Sequence, residues 1–420
     1  MSGDGNEHNP HLSEDSYAGW GCQAGHLQCR VLGHAQILHY GGWHMPPQWL
    51  HITSRNHGAR CQLGRAVRTG EFMSSATVST GTVLELTDPR WADFVARQQG
   101  ATPFHHPEWA MLLARSYGFR AFAVATTDAS GQIRGGLPVL EVRHLRREPK
   151  WVSLPFTDYL PPLLASPEEE VLLSSALGQE SRAAGVRRVQ VRSLLAGAAP
   201  SATAFRHGIA LGEDPATVFA GFPSKTRTHI RQAERRGVTV RLATRPEDLT
   251  DVFYRLHLRN RRRLGVPVQP RRFFRLLWES LISTGLGLVL IAEAAGQPVA
   301  AGVVLAWNST IVGKYIASDE AAWSLRPNNL IVWHAVKAGC ERGCQWFDFG
   351  RTDAGNTGLR TYKRSWGAVE EPLVYGTLGG PADSAPASQG RAGQLLASAI
   401  RHGPLVLCRA AGEALYRYAA

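Results

Sequence analysis

Apolar positions change period repeatedly from Val83 onward, and each change marks an element. Thr82–Leu86 reads as a short strand. Pro89–Gln99 reads as a helix, with Asp88 as its N-cap and a proline at the first helical position. Pro107–Tyr117 predicts a second helix, entered through His105-His106 and stopped by Gly118. Strands are expected at Arg120–Thr127 and Gln132–Arg143, joined by the turn Asp128-Ala-Ser-Gly131, and again at Trp151–Leu154. A helix over Glu168–Ala184 and a strand over Arg188–Arg192 complete this half.

The order then recurs. Ser224–Arg236 predicts a helix ending at Gly237, followed by a strand at Val238–Ala243. Pro246–Leu264 reads as a long helix capped by Thr244, and Pro270–Thr284 as another stopped by Gly285. Leu286–Ala294 and Pro298–Ala306 form a strand pair around Ala295-Gly296-Gln297, with a further strand at Thr310–Ala317. A helix at Asn329–Arg342 leads to a strand at Gln345–Gly350. In both halves two helices precede an antiparallel meander, then a helix and a strand. The expectation is an α/β (α+β) fold, duplicated, with mixed and largely antiparallel sheets.

With 420 residues the chain has room for two cores. Its 44% hydrophobic and 19% charged content favours folding. The longest apolar stretch, Gly285 to Trp307, is interrupted by Glu293, Gln297 and Pro298, so no membrane span is expected. Residues 1–72 show no lasting period and no signal-peptide pattern, so they are expected to be disordered or to reflect an upstream start codon. Residues 73–215 and 216–378 are then the two domains, 379–393 a flexible linker rich in Gly, Pro, Ala and Ser, and 394–420 a helical tail. That tail is expected to pack on the body, with a membrane surface as the alternative.

Charge is unevenly spread. The net charge is +12, and residues 225–275 hold 15 Lys plus Arg against 4 Asp plus Glu, a net +11. Such a window calls for an anionic partner, or else it is a solvated basic face. The six cysteines form no framework and read as free thiols of a cytoplasmic protein. Cys22 and Cys29 with His26 and His34 match no zinc module, and no metal is expected.

Phe347-Asp-Phe-Gly-Arg-Thr352, followed by Asn356-Thr-Gly-Leu-Arg-Thr-Tyr-Lys-Arg-Ser-Trp-Gly367, resembles the C-terminal signature of the Fem/GNAT-like acyltransferases. Phe104-His-His-Pro-Glu-Trp109, Leu154-Pro-Phe-Thr-Asp-Tyr159 and Lys225-Thr-Arg-Thr-His-Ile-Arg-Gln-Ala233 agree, so the resemblance spans roughly residues 83–380. It includes peptidoglycan interpeptide-bridge aminoacyltransferases and related proteins of polysaccharide loci. The resemblance implies tandem GNAT-like (acyl-CoA N-acyltransferase) domains with substrate in the cleft between them. No long coiled-coil arm is present. Arg326-Pro-Asn-Asn329 stands where ordinary GNAT enzymes carry a pyrophosphate-binding loop. The donor therefore stays open between aminoacyl-tRNA and acyl-CoA, and no tightly bound cofactor is expected.

Acyl transfer to an amine needs deprotonation of the amine, stabilisation of the developing oxyanion, and alignment of both substrates. Asp158, at a strand end, is the candidate for holding or deprotonating the amine, with Thr157 and Tyr159 adding hydrogen bonds. The resemblance implies that Lys363 contacts substrate phosphate or the oxyanion, with Tyr362 packed alongside. Asp348 needs a partner, either Arg351 or a backbone turn, and Arg351 is also a candidate substrate ligand. Lys225, Arg227 and Arg231 open a basic helix suited to phosphate, the two arginines four residues apart. Asn328 and Asn329 are expected to cap the next helix and to line the donor pocket. His105, His106 and His334 are weaker candidates, more simply read as structural.

The leading reading is an acyl- or aminoacyltransferase acting on an amine of a peptidoglycan or polysaccharide precursor. One rival is an acetyl-CoA-dependent N-acetyltransferase of an amino sugar. Another is a nucleic-acid-binding protein using the 225–275 region, against which stand its sparse aromatics and the lack of a recognition motif. Expected partners are an anionic or lipid-linked precursor and tRNA, with peripheral contact at the inner membrane face, but no DNA.

Overall fold

The computed structural model describes residues 80–144, 147–380 and 390–419. The readings made for residues 1–72, including the Cys22/Cys29 metal reading, and for most of the linker lie outside the described residues. The first half runs β1 (Thr80–Leu84), α1 (Pro89–Arg97), α2 (Pro107–Tyr117), β2 (Arg120–Thr127), β3 (Ile133–His144), β4 (Arg147–Val152), β5 (Leu163–Leu164), α3 (Glu169–Ala183), β6 (Val189–Val191) and β7 (Ala199–Ala210). The second runs α4 (Pro215–Gly221), α5 (Ser224–Arg235), β8 (Thr239–Leu242), α6 (Tyr254–Leu264), α7 (Arg271–Leu277), β9 (Gly287–Ala294), β10 (Gln297–Trp307), β11 (Thr310–Ser318), α8 (Pro327–Glu341), β12 (Trp346–Asp353), α9 (Thr357–Arg364) and β13 (Val369–Leu378). Helices α10 (Arg391–His402) and α11 (Leu405–Leu415) form the tail.

The thirteen strands among the described residues join one sheet, in the order β1-β2-β3-β4-β6-β13-β7-β12-β11-β10-β9-β8, with β5 paired to β3. The duplication is plain in this order. Each half contributes four antiparallel strands and then a parallel neighbour reached through a helix: β4 to β6 through α3, and β11 to β12 through α8. The strand after each parallel neighbour crosses to the other half. β7 pairs with β12 and β13, and β13 also pairs with β6. Pro372 is tolerated in β13 because β6 pairs only with its far end, from Gly376 onward.

The predicted helix starts hold in part. Asp88 caps α1, accepting from the Arg90 amide. Thr244 is not the cap of a helix. Its amide donates to Asp248, and a π-helical turn at Asp248–Phe253 precedes α6. Asn329 does not cap α8 either. The helix begins at Pro327, with Arg326 before it in the left-handed region, so Asn328 and Asn329 lie inside the first turn.

Two cores flank the sheet. The larger joins Trp91, Phe122 and Trp151 of the first half to Phe253, Phe274 and the tail residues Ile400 and Cys408. The smaller packs α5 and α8 on the second half through Ile230, Leu330, Ile331 and Trp366. The tail thus packs on the body: α11 lies on α6, and the Arg262 Nε donates to the Gly403 carbonyl at 2.7 Å.

Candidate active site

Both parallel pairs are short. β4 and β6 pair through two residues each, and β11 and β12 only from Thr310↔Trp346 to Val312↔Asp348. Past these points the strands diverge, and the chain leaving β4 enters the opening. There Leu154 and Phe156 take left-handed backbone conformations, at φ 56° and 61°. Each costs about 1–2 kcal/mol for a residue bearing a Cβ, so the loop has to be held by its surroundings. The Lys314 ammonium, from β11, donates to the Phe156 carbonyl at 2.8 Å and lies 3.2 Å from Asp158 Oδ1. The Tyr375 hydroxyl donates to the Asp158 carbonyl at 2.6 Å, and the Trp109 indole donates to Thr157 Oγ1 at 2.8 Å.

The facing wall is a bulge in β12. Its register against β7 shifts between Asp348 and Arg351, and Gly350 adopts φ 73°. Asp348 Oδ1 accepts from the Gly350 amide at 2.7 Å. A Cβ on Gly350 would lie 2.9 Å from Asp158 Oδ2, so glycine is required both for the turn and for the approach of that carboxylate. Lys363, on α9, donates to the Gly350 carbonyl at 2.7 Å. Two residues distant in sequence therefore meet on one glycine.

Burial sets the proton affinities. Lys363 is only 5% exposed, and desolvation lowers its pKa to about 8, with Asp158 and Asp348 pulling the other way. Burial raises the Asp348 carboxyl, opposed chiefly by the Arg206 guanidinium. Arg206 also pairs with Glu371 at 2.7 Å and stacks on the Tyr159 ring at 5.0 Å. Burial raises the Tyr159 phenol, which remains a neutral hydrogen-bonding group.

Asp158, Tyr159 and Lys363 therefore come together. Thr157 is close, but its hydroxyl is taken up by Trp109 and anchors the loop. Arg351 does not serve Asp348. It pairs with Asp353 at 2.6 Å and lies over Tyr375, so the backbone turn is the partner of Asp348. Tyr362 turns into the smaller core beside Trp366, where burial pushes its phenol up to about 12. His105 is structural: its Nε2 lies 2.9 Å from the Pro161 carbonyl, and burial lowers its pKa to about 4.

The basic residues form a second cluster. Burial lowers the pKa of His229, and Arg326 and Lys225, where α8 and α5 begin, both act electrostatically on it in the same direction. Asn328 Nδ2 donates to Ser318 Oγ at 3.1 Å, and its side-chain oxygen is buried with no partner among the described residues. Asn329 is buried. Arg227 and Arg231 turn towards α4 instead, one to the Ala220 carbonyl and one over Phe219. Within the basic window, Arg241, Arg259, Arg263, Arg271 and Arg275 are ion-paired, whereas none of Lys225, Arg227, Arg231, Arg235 and Arg236 is paired with a described acid.

Lys314, Arg206 and Tyr375 were not singled out from the sequence. Lys314 sits in an apolar strand and reads locally as a surface lysine, yet its ammonium lies over the rings of Phe104, Trp109 and Tyr315. No group of metal-ligating side chains occurs among the described residues.

Residues 223–364 match the acetyltransferase (GNAT) domain family. No curated protein matches the sequence. The fold is similar to that of FemX, with TM-score 0.57, 12% identity, and 70% of this chain and 96% of FemX covered. A putative lysylphosphatidylglycerol synthetase C-terminal domain from Agrobacterium fabrum gives TM-score 0.45 at 13% identity, covering 74% and 96%. A tandem GNAT protein from the clavulanic acid pathway gives 0.44 at 14% identity, covering 73% and 100%. Residues 223–364 are therefore an acetyltransferase (GNAT) domain, and the chain shares the fold of FemX.

Proposed function

We propose that the protein transfers an acyl or aminoacyl group to an amine on a cell-envelope precursor, peptidoglycan or polysaccharide. The observation that carries this reading is the meeting of Asp158 and Lys363 on Gly350, where β11 and β12 part. An amine entering beside Asp158 is held by its carboxylate. The amine nitrogen attacks the donor carbonyl carbon, the new N–C bond forms, and the bond to the donor's thiol or ribose oxygen breaks. The amine proton passes to Asp158. Lys363 supplies positive charge next to the developing oxyanion, and its pKa of about 8 also lets it give a proton to the leaving group near neutral pH.

Lys225, Arg326 and the first turn of α8 form the donor side, since both acyl-CoA and aminoacyl-tRNA bring phosphates. The unpaired cations of α5 are where tRNA, or an anionic or lipid-linked acceptor, would add contacts. We place the reaction in the cytoplasm, with peripheral contact at the inner membrane face. No helix among the described residues is long and apolar enough to cross a membrane.

Calorimetric titration of the full chain with acetyl-CoA tests the donor. One-to-one binding, weakened by Lys225→Ala, supports an acyl-CoA donor and the amino-sugar N-acetyltransferase reading. Binding of charged tRNA but not acetyl-CoA supports aminoacyl transfer. Binding of neither by folded protein overturns the donor side.

A further inference from the structure

Trp323 is the most exposed aromatic side chain among the described residues, at 43%. It sits on a 3₁₀ turn, Glu320–Leu325, between β11 and α8. The turn is fixed at both ends. Asp319 caps it by accepting from the Ala321 amide, and the Arg326 amide closes it on the Trp323 carbonyl at 3.0 Å. The indole is fixed as well. Its Nε1 donates to Ser318 Oγ at 2.9 Å, the oxygen that also accepts from Asn328 in the first turn of α8. The Arg263 guanidinium backs the ring at 5.0 Å, held in turn by Glu320 and, at 2.7 Å, by Asn260 Oδ1. A large apolar ring left in water adds little to folding. Pinned at its edge and backed by a cation, this one is preorganised to receive another flat ring.

Its surroundings are cationic. Lys225, His229, Gln232 and the capping residue Arg236 follow one another at helical spacing along one stripe of α5. Both ends of the stripe reach the turn that bears Trp323. Lys225 shares His229 with Arg326, and the Arg236 guanidinium donates to the carbonyl of Ser324, the residue after Trp323. Lys225, Arg236 and Arg326 are exposed, and none pairs with a described acid. The acids of the turn are already taken, Asp319 by Arg259 and Glu320 by Arg263. A rigid aromatic surface is thus bordered by uncompensated positive charge.

We propose that Trp323 is a stacking platform for the purine base of a nucleotide whose phosphates lie on Lys225, Arg236 and Arg326. This deepens the transferase reading above and rests on it for the donor. Acyl-CoA and the end of a charged tRNA both carry an adenosine joined to phosphate, so the platform suits either source. The base offers a π face to the indole, and the phosphates meet compact or planar cations beside it. A sugar phosphate without a base would use the cations alone. An anionic bilayer also favours tryptophan and cations, but it takes several apolar side chains on one surface. Here the exposed neighbours of Trp323 on the turn are Glu320, Ala321 and Ser324.

The test titrates the full chain with AMP and with ribose 5-phosphate, which differ only in the base. AMP should bind at least about fivefold more tightly, the lower end for one base stacked on an aromatic ring. Trp323→Leu should erase that margin without changing the affinity for ribose 5-phosphate, and Trp323→Phe should keep most of it. Lys225→Ala should weaken both probes. Adenosine 3′,5′-bisphosphate and the trinucleotide CpCpA then separate the sources. Preference for the bisphosphate assigns the platform to acyl-CoA, and preference for CpCpA assigns it to tRNA. Equal binding of AMP and ribose 5-phosphate, or a margin that survives in folded Trp323→Leu, overturns the platform and leaves the cationic donor side standing. No binding of any probe by folded wild type overturns both. Flotation of wild type but not Trp323→Leu with phosphatidylglycerol vesicles, without a preference for AMP, gives Trp323 to a membrane and also overturns the platform.

Discussion

Lys363 combines an ammonium with a site that removes it from water. Its folded pKa of about 8 lies below the usual lysine value of 10.5, with burial as the main cause. Between these two values the unfolded chain holds a proton that the folded chain has released, so folding stability rises with pH across that window. Below about 8 the folded state carries a constant cost on the order of 3 kcal/mol. Lys363→Met removes this dependence. Melting curves should therefore show wild type gaining on the variant from pH 7 to pH ~10, whereas parallel pH profiles would mean that Lys363 is solvated. At this scale the sequence was half legible. Asp158 and Lys363 stand in local motifs that carry their chemistry with them. Lys314 does not: its worth comes from Phe156 and Asp158, more than 150 residues away in the chain, and no local pattern reports such a contact. Tyr362 shows the opposite failure, since a motif position beside Lys363 turned out to face the core.

Elements with a clear period were found close to their true bounds, as at α2 and β2. Those that were missed lack one. β7 and β13 sit between other strands in the middle of the sheet, and β13 contains Pro372 and Gly376, both poor strand signals. Two expected long helices are broken by π-helical turns at Asp248–Phe253 and Trp278–Ile282, which apolar spacing alone does not reveal. The tail was legible as helical, but not its docking on α6. Gly412→Leu tests that docking, because no side chain fits against Val268. Cys408, fully buried in wild type, should then be alkylated by iodoacetamide at least about tenfold faster, a population shift of roughly 1.4 kcal/mol. An unchanged rate would mean that the tail stays docked without this close contact.

Across the whole molecule, exchange of β7 and β13 makes each half depend on the other. Residues 80–215 alone would leave β6 without β13 and β7 without both neighbours. Such a fragment should show no cooperative melt, and mixing it with residues 216–420 should restore one. A cooperative melt of the fragment by itself would contradict that dependence. The same exchange places Asp158 of one half against Gly350 and Lys363 of the other. The account therefore stands most directly on a transfer assay with labelled acetyl-CoA and charged tRNA as donors, and amino-sugar and peptidoglycan-precursor amines as acceptors. Wild type should transfer label from one donor class, and Asp158→Asn and Lys363→Ala should each lower the rate by about 10²-fold while remaining folded. Undiminished transfer by both variants, or none by wild type from either donor, would contradict it.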